Sequence, residues 1–249
     1  MEKRKPNLIL HAGGALATMA QIDEVITPQR TNTWVPIPHN RLIGTVTNAL
    51  SNAGLTIGES SHALSHNGDR YFGLMEIHDR NEPNNDKEYT FVVGLRNSHD
   101  KTFPAGLVAG ASVFVCDNLS FSAEVSFGRK HTVFINRDLP MLTMQAVGRL
   151  GDMRRKQDER FNAYKGFELD DKSAHDLMIR AVDCRATANQ MVPKVIEEWR
   201  KPSHEEFAPR NMWSLFNCYT EALKGYSLAE LPKRTQALHG LFDSYIGLN

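Results

Sequence analysis

Between Tyr89 and His131 the chain carries three apolar runs joined by links too short for anything but antiparallel neighbours. Tyr89, Phe91, Val93 and Leu95 fall on alternate positions, the period of a strand with one face in a core. Residues 107–115 are apolar on both faces, with Gly110 and Ala111 permitting close approach, so they predict an interior strand covered on both sides and flanked by the Tyr89 and Phe121 segments. In residues 120–127, Phe121, Ala123, Val125 and Phe127 oppose Ser122, Glu124 and Ser126, which predicts a strand with one wet side. A parallel crossover needs a dozen or more residues. Neither a G-x-G-x-x-G nor a phosphate-loop sequence occurs, so a nucleotide-binding α/β pattern is excluded.

The flanking chain fits the same sheet. Leu55–Ser65 and residues 70–78 read as strands joined by His66-Asn67-Gly68-Asp69, and Asn-Gly between such runs signals a hairpin. Ahead of them, Asn40 is placed to cap a helix whose Leu42, Ile43, Val46 and Leu50 share a face and which Gly54 stops in a left-handed conformation. Trp34-Val35-Pro36-Ile37-Pro38 predicts a short extended piece confined to a sheet edge by its prolines. Residues 1–33, punctuated by Gly13-Gly14 and Pro28, read as an N-terminal arm of the kind that serves oligomers.

From Asp138 the period becomes helical. Met141, Met144, Val147 and Leu150 predict a buried stripe, and Arg149, Arg154, Arg155, Lys156 and Arg160 a basic surface on the same helix. Ser173 with Asp176 resembles a capping box, opening a helix with Leu177, Ala181, Cys184, Ala188 and Met191 inward until Pro193, so Cys184 is expected in the core. A third helix spans residues 211–223 and ends at Gly225. Ser227 with Glu230 opens a last one carrying Leu238, Leu241, Phe242 and Tyr245. The expected architecture is α+β: an arm over residues 1–33, an antiparallel core over 34–137 with one helix inserted before the sheet, and a helical region over 138–249 packed on it.

Composition bears on partners. Twenty-nine basic and 29 acidic residues balance, so nucleic-acid binding would have to come from a local basic face. Three scattered cysteines argue against a disulfide framework or a paired-cysteine zinc site. The apolar run near the start is broken at His11 and Gly13, short of a signal core, and nothing reaches the length of a membrane span. A reducing cytoplasm and no membrane partner are the expectation.

Two polar clusters fall at predicted strand ends, Arg96-Asn97-Ser98-His99-Asp100 and Cys116-Asp117-Asn118. Ser98, His99 and Asp100 carry the letters of a hydrolytic triad, but neighbours on an extended chain point to opposite sides and form no relay. Ser98-x-x-Lys101 lacks its companion motifs. His62 and His66 lie about 13 Å apart on a strand, too far to share an ion. A mixed site of His99, Cys116, Asp117 and His131 requires converging strand ends, whereas Cys116 reads better as a small packed residue and Asp117-Asn118 as a turn. No metal or cofactor is therefore expected. Downstream, Arg129, Lys130, His131 and Arg137 enclose a stretch free of acids, with Phe127 and Phe134 interleaved, a combination suited to the phosphates and bases of a single strand.

The runs GLRNSHDKTF, VFVCDNLSFS and FGRKHT resemble the pattern of the phage- and plasmid-borne family known as domain of unknown function 932, as does WVPIPHNRLIGTVTNALSNAGL. That resemblance covers roughly residues 33–135 and implies a mobile-element setting, a bacterial cytoplasm and no settled reaction. More distantly, the succession of hairpin, antiparallel strands and long helix is similar to phage single-strand annealing proteins such as RecT and Redβ, which implies rings or filaments holding DNA in a basic groove. The leading expectation is a non-catalytic, homo-oligomeric protein binding single-stranded nucleic acid in recombination, replication or protection of mobile DNA. Arg96, Arg129, Lys130 and Arg137 would contact phosphates, and Phe127 or Phe134 would stack on bases. The alternative is an anti-defence protein that sequesters a host protein or nucleotide in a pocket of Asn97, Ser98, His99, Asp100, Asp117, Asn118 and His131. A hydrolase centred on His99, Asp100, Cys116 and His131 stands third.

Overall fold

The Asn67-Gly68 turn anchors the topology. His66, Asn67 and Gly68 take φ of 53°, 55° and 90°, left-handed angles that Asn and Gly tolerate at little cost, and they reverse the chain between two long strands paired antiparallel. The structure is a computed structural model that describes residues 14–79, 88–113, 118–224 and 230–248. Its elements are β1 (Ala15–Leu16), α1 (Met19–Asp23), α2 (His39–Asn52), β2 (Leu55–Ser65), β3 (Arg70–Asp79), β4 (Tyr89–Ser98), β5 (Ala105–Val113) and β6 (Asn118–Arg129). The helical half follows as α3 (Ile135–Gly148), α4 (Leu150–Gly166), α5 (Asp171–Asp183), α6 (Val192–Arg200), α7 (Met212–Ala222) and α8 (Leu231–Ile246).

Among the described residues the strands form one six-stranded sheet in the order β1-β2-β3-β4-β5-β6, each antiparallel to the next. The fold is therefore α+β with an antiparallel sheet and a helical C-terminal half. As its apolar content predicts, β5 lies between β4 and β6 with nearly every residue buried. One face of the sheet carries Met75, Phe91, Val93, Leu95, Leu107 and Ala109 into a large core shared with α2, α3, α4 and α7. The other carries Phe72, Leu74, Val92 and Phe121 into a smaller core closed by Leu223 and Leu231. Burying each large side chain contributes about 1.5–3 kcal/mol, so β4, buried on both faces, is the main hydrophobic anchor.

Several local expectations give way to tertiary structure. Helix α2 buries Leu42, Ile43, Val46 and Leu50 and hands over to Gly54 at φ 77° as expected, but its N-cap is Pro38. Asn40 lies inside the helix and bonds Asp23 instead. Residues 34–38 form a strap and not an edge strand: Val35 donates to the His131 carbonyl, and Ile37 lies buried against the sheet. Along β6 the predicted stripe is split, because the register slips between Val108 and Gly110 of β5. Phe121 consequently joins the smaller core while Val125 and Phe127 pack into the larger.

In the helical half, Met141 and Met144 are exposed, and Leu139, Thr143, Ala146 and Val147 face inward. A three-residue recurrence drifts around a helix of 3.6 residues per turn, so positions nine apart stand two and a half turns apart, on opposite sides. The basic run does not share one surface either, since the helix breaks at Arg149 and Arg154 is buried over the Phe91 ring, 5.0 Å from its centroid. Asp170, not Ser173, caps α5, accepting from the Ser173 amide at 2.7 Å. That helix ends at Asp183, which leaves Cys184 as an exposed C-cap and not a core residue. Asn211 caps α7 and Glu230 precedes α8, whereas Gly225 and Ser227 lie outside the described residues. Among the described residues no helix is long and apolar enough to cross a membrane.

Candidate nucleic-acid interface

Strand alternation divides the Arg96–Asp100 cluster between two sides of the sheet. Asn97 is fully buried, and its side-chain amide donates to the Ile37 carbonyl at 3.0 Å and to His39 Nδ1 at 2.8 Å. His39 must then carry its proton on Nε2, which donates to the Gly68 carbonyl at 2.9 Å. The His99 ring stacks on His39 with centroids 4.0 Å apart, and its Nε2 donates to the same Ile37 carbonyl at 2.9 Å. Burial pushes His39 down to about 4, helped by the nearby His99 and His131 and opposed by the Gly68 carbonyl. Burial likewise lowers His131, which packs 6.3 Å from the Trp34 ring. Ser98 exchanges hydrogen bonds with the backbone of Phe103. Burial would raise Asp100, but Thr102 and Arg70, the latter at 2.6 Å, outweigh it and bring the carboxyl to about 2. These groups fasten the strap and the turns to the sheet. Asn118 opens β6 opposite Val113, and Cys116 and Asp117 lie outside the described residues.

The basic stretch behaves differently. Asp138, in the first turn of α3, accepts Arg137 Nε at 2.8 Å and Arg129 Nη2 at 2.7 Å. The bond from Arg137, then that from Arg129, holds its carboxyl below the usual range. One carboxylate thus orients two guanidinium groups and leaves a surplus positive charge. Lys130 stands exposed beside them. Phe134, 53% exposed, carries the Arg137 guanidinium 4.6 Å from its ring centroid. The outward face continues through Met141 and Met144, and no acidic residue is exposed between Lys130 and Arg149. Phe127 is not part of it, since its ring packs on the main core.

Arg96 opens onto the opposite side of the sheet, as its pairing with Gly106 and the pairing of Gly106 with Gly128 require. There a cleft of about 350 Å³ is lined by residues of β4, β5 and β6, including Gly94, Gly106, Val108, Ser126 and Gly128, and by Pro232, Lys233 and Gln236 of α8. The structure therefore groups Lys130, Phe134 and Arg137, with Arg129 behind them, and separates Arg96 from that group. The α8 residues had no local sequence signal, because only the fold brings them to the strands.

A second constellation has the look of a hydrolytic relay. Ser120 Oγ lies 2.8 Å from His239 Nε2, and Tyr164 links His239 Nδ1, at 3.3 Å, to Asp243, at 2.7 Å. Ser120, Tyr164 and His239 are all buried, and Arg160 clamps Asp243 through both oxygens. This is a packed polar network joining α4 and α8 to β6. Among the described residues no group of three or more His, Cys, Asp or Glu side chains is placed to hold a metal ion.

An antiparallel α+β sheet with one exposed cationic, apolar helix face defines the class of fold and surface. The chain belongs to the family described as Domain of unknown function (DUF932), whose profile matches residues 29–239. No curated protein and no solved structure matches the chain.

Proposed function

We propose that this chain binds single-stranded nucleic acid, DNA foremost, on the exposed face of α3, as a non-catalytic component in recombination, replication or protection of mobile DNA. The observation that supports the reading is the Arg137–Phe134 pair: a cation held over a solvent-facing ring, next to Lys130, with no exposed acid in residues 130–149. Phosphates call for mobile or oriented cations, and bases for an accessible apolar plane. Both are present within one helical turn.

The test uses Lys130→Ala with Arg137→Ala, leaving Arg129 to anchor Asp138. Binding of a labelled oligodeoxynucleotide is measured across a salt series, with circular dichroism as the folding control. Two lost phosphate contacts should flatten the slope of log affinity against log salt by about 1.4. A separate Phe134→Ala change should weaken binding by about 1–3 kcal/mol at unchanged slope. An unchanged slope in the folded double variant would remove this face from the reading.

A further inference from the structure

The cleft on the other side of the sheet contains a charge that no described residue neutralises. Arg96 is half-buried, and among the described residues no carboxylate pairs with it and no hydrogen bond occupies its five N–H donors. The Phe103 ring, with its centroid 5.7 Å away, backs the guanidinium. Desolvation lowers its pKa, as for a cation stripped of water without compensation. Lys233 brings a second cation to the cleft from α8. The first-turn amides of α8 offer little, because Lys233 and Arg234 already donate to the Glu230 carbonyl. Any anion here would be held by side chains.

Size and lining narrow the ligand. At about 350 Å³ the cleft falls in the range of small-molecule sites, which runs from about 300 to 1,000 Å³, and a lone phosphate would leave much of it empty. A Cβ on Gly94 would stand 3.2 Å from the Phe121 ring and from Val108, and one on Gly128 3.3 Å from Pro104, so neighbouring side chains fill the space over these glycines. A Cβ on Gly106 would stand only 2.8 Å from the Phe127 carbonyl oxygen, so the strands themselves require glycine there. Val108 and Pro232 supply apolar walls, while Ser126 and Gln236 add polar groups.

We infer that this cleft binds a nucleoside phosphate, with Arg96 and Lys233 on the phosphate and the base against the apolar walls of Val108 and Pro232. The site is distinct from the α3 face, which lies on the other side of the sheet. Its ligand is a small molecule, because a cleft of about 350 Å³ lies at the small end of the range for such sites.

The test is calorimetric titration of the full chain with dAMP, adenosine and inorganic phosphate. dAMP should bind, and adenosine and phosphate should each bind at least tenfold more weakly. Arg96→Gln should cost tenfold or more, and Lys233→Gln several-fold. Lys233 is exposed, so its variant tests the site even if Arg96→Gln fails to fold. The α3 double variant should bind dAMP like the parent, which keeps this result independent of the DNA measurement. No dAMP binding at millimolar concentration would overturn the inference. So would affinity unmoved by both cleft variants, equal affinity for phosphate alone, or loss of dAMP binding in the α3 variant.

Discussion

A buried imidazole is a record of what the chain can tolerate at neutral pH and not below it. His39 is 2% exposed and titrates at about 4, whereas an unfolded histidine titrates near 6.5. As pH falls through 6.5 the unfolded chain takes up the proton first, so His39 contributes stability that is complete above about 6.5. That contribution is lost between about 6.5 and 4, below which both states are protonated. The loss from this residue alone should reach about 2 kcal/mol at pH 5 and on the order of 3 kcal/mol in full. His131 and His62, also lowered by burial, act in the same direction. Asp100, held at about 2, loses its contribution only as pH falls below about 4, in a separate window. Urea midpoints at pH 7.5 and pH 5 for the parent and His39→Gln would check this, and an equal pH penalty in both would refute it. The fate of residues 96–100 also shows why single positions were hard to read: the sequence marks them as polar at a strand end. Whether Asn97 meets solvent or the Ile37 carbonyl depends on a strap 60 residues away.

Elements were legible where their cause is local. The β2–β3 hairpin rests on Asn67-Gly68, and α2 on four apolar residues and Gly54, all contiguous. What escaped reading was set by partners distant in sequence: the register slip that turns Phe121 away from Val125, the break at Arg149, and the helix packing that leaves Met141 and Met144 outside. The edges of the sheet show the same dependence. At one edge β1 covers only Ala63 and Leu64, and β2 has an irregular register between Ile57 and Ser60, a feature that discourages edge-to-edge pairing. At the other, α8 lies along β6, and Thr235 Oγ1 accepts the Phe121 amide at 3.1 Å while lying 3.0 Å from its carbonyl oxygen. Thr235→Val keeps the shape but leaves a buried amide without a partner. It should cost about 1–3 kcal/mol, measured as a lower urea midpoint at unchanged slope. A neutral result would mean that water replaces the hydroxyl.

At the scale of the whole molecule, sheet and helices share the larger core, which runs from Ile22 through Phe91 and Phe161 to Phe242. Opening should therefore be cooperative, and two cysteines can report it. Cys184 is exposed, while Cys218 is buried within α7 and burial pushes its thiol up to about 12. Iodoacetamide at pH 8 should alkylate Cys184 in the native state. Cys218 should react only with the urea midpoint of global unfolding, with both sites read by peptide mass spectrometry. Modification of Cys218 well before that midpoint would show that the helical layer opens alone.

The contact between Thr235 and Phe121 joins residues 114 positions apart. A ribosome adding about 5–20 residues per second finishes β6 on the order of ten seconds before the helix that covers it has been made. Through that interval the hydrogen-bonding groups of Phe121 have no partner in their own chain, although β1 to β5 can already pair neighbour to neighbour. Strand pairing between nascent chains on one message is thus favoured during synthesis more than at any time in the life of the folded protein.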